Sequence, residues 1–199
     1  MAYQPQDTYF ERAKKEGYRS RAAYKLLELN RRYRLMKRGD RVVDLGTAPG
    51  GWLQVIAQAI GNEGKAVGVD LQSPVRFEEN NIVVIQGDIA SVETQTRIRQ
   101  VLGGPADCVL SDLSPKLSGI RSADLSRWLE LVEAAFGVAK TLLKKEGNFA
   151  VKTFEGAETA VFQKEIKPYF ASIHRIRSEA TRKGSSEMYL IATGFRPPG

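Results

Sequence analysis

The chain has 199 residues, 42% of them hydrophobic and 27% charged, with a net charge of +7. This is the balance of a globular domain large enough to bury a core, and it excludes a disordered or fibrous chain. One cysteine rules out an internal disulfide and a Cys-based zinc cluster, and no run reads as a secretion signal or a membrane span, so a single domain in the cytoplasm is expected.

Residues 1–19 read as an arm without a clear period. Ser20 is placed to cap a helix running to about Tyr33, with Leu26, Leu27, Leu29 and Tyr33 on its apolar side and Lys25, Glu28 and Arg32 on another. Residues 1–41 hold twelve Lys/Arg against five Asp/Glu, and that difference equals the net charge of the whole chain. Tyr3, Tyr9, Phe10, Tyr18, Tyr24 and Tyr33 are interleaved with these bases, and aromatic faces stack on unpaired nucleobases. The basic start, about residues 1–38, is therefore read as a polyanion surface, with Arg19, Arg21, Arg31 and Arg32 as its RNA contacts. The alternative is a solvated face behind a loose terminus.

Gly39-Asp40 leads into Val42-Val43-Asp44-Leu45, an apolar strand, and Gly46-Thr47-Ala48-Pro49-Gly50-Gly51 then turns the chain into a helix over Trp52 to Ile60. Glycines in such a turn let a ligand approach the backbone, although the spacing is not that of a dinucleotide fingerprint. Further strands are expected at 65–70, 82–86, 106–111, 147–153, 172–177 and 187–193, and helices near 90–102, 123–145 and 157–168. Alternating strands and helices predict a mostly parallel sheet covered on both faces. The short link Ser178 to Ser186 suits an antiparallel pair at the end, and the tail 196–199 reads as loose.

Polar residues collect where these strands end, which in an open α/β sheet is the ligand crevice. Asp70 ends the second strand and can accept hydrogen bonds from a ribose diol, or simply cap a loop. Asp88 follows the third strand and can take an adenine amino group, or cap the helix that follows. Gly46, Gly50, Trp52 and Asp112 complete the candidate cofactor site. Lys152 lies inside the apolar strand Phe149-Ala150-Val151-Lys152-Thr153, where a lysine needs a partner, a lowered pKa or a route to the sheet edge. Glu187 opens the last strand and could be a plain edge charge.

At Tyr18-Arg19-Ser20-Arg21-Ala22-Ala23-Tyr24-Lys25-Leu26, Asp44-Leu45-Gly46 through Gly50-Gly51-Trp52, Val151-Lys152 and Ser186-Glu187-Met188-Tyr189, the chain resembles the RrmJ/FtsJ family of S-adenosylmethionine-dependent RNA ribose 2′-O-methyltransferases. The resemblance runs from about Gly17 to Gly194. It implies a Rossmann-like methyltransferase fold with a seven-stranded sheet, S-adenosylmethionine as cofactor, no metal, a monomer, and RNA as partner, with the large ribosomal subunit favoured over transfer RNA. It also implies a Lys-Asp-Lys-Glu tetrad, which falls on Lys25, Asp112, Lys152 and Glu187. Where the family commonly has an Ala-Pro-Asn-type turn, this chain has Ser114-Pro115-Lys116, which adds a positive charge beside the site.

A ribose hydroxyl is a poor nucleophile until its proton is removed, and lysine can accept one if burial and a cationic neighbour lower its pKa. Lys152 is read as that base with Lys25 as the neighbour, Asp112 as its orienting group, and Lys25 and Glu187 as substrate-positioning groups. An electrostatic role for Lys152 stays open. Base-amine methylation is disfavoured because Leu113-Ser114-Pro115-Lys116 lacks an aromatic residue. A messenger-cap enzyme, a nucleotide-dependent oxidoreductase and a non-catalytic RNA-binding protein are the other readings.

Overall fold

A computed structural model describes residues 8–72, 76–115 and 118–197. Tyr3, Lys116 and the last two residues of the tail lie outside the described residues.

The expected alternation of strands and helices is present. The strands are β1 (Arg41–Leu45), β2 (Lys65–Asp70), β3 (Ile82–Gln86), β4 (Ala106–Ser111), β5 (Leu143–Phe154), β6 (Phe170–Ile176) and β7 (Glu187–Phe195). They form one seven-stranded sheet in the order β3-β2-β1-β4-β5-β7-β6. β1 to β5 pair in parallel, and β7 lies antiparallel between β5 and β6. Chain order reverses between β1 and β4, so the ligand crevice belongs outside the carboxyl ends of those two strands.

Helices cover both faces. α2 (Ala22–Tyr33) and α3 (Gly51–Ile60) bury Leu26, Leu29, Trp52, Leu53 and Ile56 against one face. On the other, α4 (Val92–Leu102), α5 (Arg121–Leu142) and α6 (Ala157–Ile166) bury Ile98, Phe136 and Phe162 against Val43, Val67, Val109 and Phe149. Among the described residues no helix is long and apolar enough to cross a membrane.

Four expectations need correction. The supposed arm contains a helix, α1 (Thr8–Lys15), whose Ala13 packs with Tyr24 and Ala180. Ser20 does not cap α2, whose N-cap is Arg21 without a side-chain cap bond. Glu28, read as lying apart from the apolar side of its helix, is buried at 7% exposure. β5 also starts at Leu143, earlier than 147, because Leu143 already pairs with Ala106 before an irregularity with Glu146 at a φ of 63°.

Candidate active site

Side chains alternate along a strand, so residues of one parity share a face. Val42 and Asp44 on β1, Cys108 and Leu110 on β4, Ala150 and Lys152 on β5, and Tyr189 and Ile191 on β7 have the parity of the α2/α3 face. Because β7 runs backwards, its first residues meet the last residues of β5: Phe154 pairs with Glu187 and Lys152 with Tyr189. Period-2 geometry alone thus gathers distant polar residues at one edge of one face.

Lys152 is 6% exposed. Its Nζ donates to the Asp112 carbonyl at 2.6 Å and lies 3.3 Å from Asp112 Oδ1. Asp112 is itself held where β4 leaves the sheet, since its N–H donates to the Leu45 carbonyl at 3.2 Å. Lys25, on α2, pairs with Glu187 Oε1 at 2.5 Å, so Glu187 is more than an edge charge. The tetrad is therefore two ion pairs, and the carboxylate in contact with Lys152 is that of Asp112. Tyr189 stands between them: its hydroxyl donates to Asp112 Oδ1 at 2.7 Å, and Lys25 Nζ lies 6.0 Å from its ring centre. Burial, then the nearby carboxylates of Asp112 and Glu187, push the Tyr189 phenol well above its ordinary pKa, so it stays a donor. His174 sits on β6, a strand removed, beside Tyr33 and Ser172.

The turn after β1 builds the neighbouring crevice. Gly46 and Gly50 have φ values of 86° and 105°, a backbone region that side chains rarely adopt. A Cβ on Gly50 would lie 2.9 Å from the Phe77 ring, and Arg19 stacks on that ring at 4.2 Å. Asp70 closes the turn, accepting from the N–H of Ala48 and of Gln72, each at 2.9 Å. Each of its oxygens keeps a further lone pair for a ligand. Asp88 is exposed and accepts from Ala90 N–H in a tight turn; the N-cap of α4 is Ser91, not Asp88. Trp52 is 3% exposed with its indole N–H given to the Ala22 carbonyl, so its donor is committed to holding α2 on α3.

Asp44 and Tyr189 stand in the motifs that carry the family resemblance but were not read as site residues. Asp44 is fully buried; its Oδ2 accepts from Thr47 at 3.1 Å while Oδ1 has no hydrogen-bond partner. Burial, with the charges of Asp112 and Asp70 adding to it, raises its pKa to about 7. Asp44, Asp70 and Asp112 thus give adjacent strand ends an electronegative floor, with Asp88 at the outer end. That donor set suits a cationic ligand carrying hydroxyl and amino groups, and it repels the pyrophosphate of a dinucleotide.

Of the four arginines read as RNA contacts, Arg19, Arg31 and Arg32 are exposed and Arg21 is half-buried. Arg19 donates to the Arg76 carbonyl at 2.6 Å, Arg21 to the Ala180 carbonyl, and Arg32 pairs with Glu28 and Glu179 at 2.8 Å each.

The family model for FtsJ-like methyltransferases matches residues 18–195. A ribosomal RNA large subunit methyltransferase E from Methanothermobacter thermautotrophicus is 45% identical over 196 residues, covering 98% of this chain and 93% of the relative. Among solved structures, a Plasmodium falciparum protein assigned as a ribosomal RNA methyltransferase superposes with a TM-score of 0.78 at 26% identity, covering 91% of this chain and all of that one. The MycE methyltransferase of mycinamycin biosynthesis, in complex with Mg and S-adenosylhomocysteine, shares the fold at a TM-score of 0.60 and 16% identity, over 97% of this chain and 50% of its own.

Proposed function

Because the chain belongs to the FtsJ-like methyltransferase family, we propose that it transfers a methyl group from S-adenosylmethionine to the 2′-hydroxyl of a ribose in large-subunit ribosomal RNA. The buried Lys152, held by both the carbonyl and the carboxylate of Asp112 beside the glycine turn, carries this reading. The cofactor supplies an electrophilic methyl carbon on a sulfonium. Asp70, Asp88 and the backbone at Gly46 and Gly50 would hold its ribose, adenine and amino-acid ends, and the carboxylates of Asp44 and Asp112 favour its positive charge.

Lys152 receives the proton of the ribose hydroxyl. Asp112 fixes the direction of the lysine Nζ, and Tyr189 fixes Asp112, so the base approaches along one line. Positioning of this kind supplies much of the rate when a nucleophile and a methyl carbon must meet in line. Lys25 and Glu187 form the wall against which the target ribose rests, and Arg19, Arg21, Arg31 and Arg32 lie on the helical surface that meets RNA. A cytoplasmic monomer built as a single domain goes with this reading.

The test is to incubate the protein with methyl-labelled S-adenosylmethionine and, separately, large ribosomal subunits, free ribosomal RNA and transfer RNA. The label should enter large-subunit RNA and, after alkali, remain in a dinucleotide, because a 2′-O-methyl group cannot attack the neighbouring phosphate. Label recovered in a mononucleotide would mean base methylation, and label in transfer RNA alone would overturn the ribosomal assignment.

A further inference from the structure

The segment joining β6 to β7, residues 177–186, takes no part in the chemistry above, yet it is anchored to the body of the protein at Ser178, Glu179 and Ala180. Buried Glu28 on α2 accepts from Ser178 Oγ at 2.7 Å and from the Glu179 N–H at 2.9 Å. Arg21 holds the Ala180 carbonyl, and Ala180 is buried with Ala13 and Tyr24. Arg177 closes the segment on itself through the Ser185 carbonyl. The residues between these anchors face outward: Arg177, Arg182 and Lys183 are exposed, as is Arg175 at the end of β6. The one acid among them, Glu179, is paired with Arg32. Thr181 Oγ1 lies 3.4 Å from Glu187 Oε1, so the strap is one contact from the tetrad.

Every ribose in an RNA chain is flanked by phosphates, so negative charge must settle close beside the catalytic pair. Beyond Ser186, where the segment ends, a cleft floored by Leu125, Trp128 and Phe154 carries Asp124, Glu155 and Glu158, which repel phosphate. We infer that residues 177–185 form a rigid phosphate-binding strap that seats the RNA backbone next to the target nucleotide, with Arg182 and Lys183 as contacts and Glu28 as the positioning residue that holds the strap. The inference rests on the RNA reading of the active site.

The experiment measures binding of a labelled single-stranded oligoribonucleotide against salt for the wild type, R182Q/K183Q and E28Q, with S-adenosylmethionine affinity on the same samples as the check on folding. Loss of two phosphate contacts should weaken binding at least tenfold and flatten the slope of log affinity against log salt by about 1.4. E28Q removes a negative charge, so plain electrostatics predicts tighter RNA binding; a strap held by Glu28 predicts weaker binding. An unchanged slope in R182Q/K183Q, or tighter binding in folded E28Q, overturns the strap. Wild-type methyl transfer reports on the reaction separately: a wild type inactive on RNA, beside variants that lose RNA affinity, would sink the reaction and leave the strap standing.

Discussion

At the scale of single residues, Asp44 is the group whose environment has the clearest consequence. Its carboxyl ionises near pH 4 in an unfolded chain and at about 7 in the folded one, because burial and two neighbouring carboxylates oppose its charge. The folded state therefore binds the extra proton between these values, and stability falls as pH rises through that window. Asp44→Asn cannot ionise and should remove a dependence of at most about 4 kcal/mol. Urea denaturation of both proteins from about pH 4 to pH 8 should show the variant gaining on the wild type as pH rises; parallel profiles would exclude this role. Sequence patterns hid Asp44 and Tyr189 because both stand in apolar runs where a single polar group reads as part of the strand. Their importance comes from partners far along the chain, Asp112 and Glu187, which only the sheet brings near.

At the scale of elements, strands and helices within one βα unit were legible because hydrophobic periodicity and glycine punctuation are local signals. The antiparallel pairing of β6 with β7 followed from the short link between them. α1 was not legible. Tyr9, Phe10 and Ala13 give it an apolar side, but over eight residues that side is too short to stand out; only Ala13 is buried, and Phe10 stays exposed. Its order comes from Tyr24, which donates to Glu16 at 2.9 Å and packs against Tyr9 at 5.4 Å. Burial and that bond raise the Tyr24 phenol to about 12, so the contact persists across the physiological range. Glu28 misled for a related reason: its helical position reads as solvent-facing until the β6–β7 strap covers it.

At the scale of the whole molecule, basic residues are concentrated in the first 41 positions, and the fold sets that surface beside the tetrad through Lys25. Replacing Arg19, Arg21, Arg31 and Arg32 by neutral residues should weaken RNA binding and flatten its salt dependence. Arg21 and Arg32 also hold the strap, so the fourfold variant should lose stability as well. Arg31→Gln alone should reduce the salt slope by less than one without moving the denaturation midpoint. An unchanged slope in the fourfold variant would place the contact surface elsewhere. The sequence showed where the charge lies along the chain; it did not show that three of these four arginines are engaged by distant groups, the carbonyls of Arg76 and Ala180 and the carboxylate of Glu179.

The central claim is that Lys152, oriented by Asp112, takes the proton of the ribose hydroxyl. Single-turnover methyl transfer into large-subunit RNA, followed against pH for the wild type, Lys152→Ala and Lys152→Arg, tests it most directly. Lys152→Ala should lose about 10²–10⁴-fold in rate while still binding cofactor and RNA. Lys152→Arg should not restore it, because a guanidinium stays protonated. Substantial activity in Lys152→Arg, or wild-type activity in Lys152→Ala, would contradict the claim.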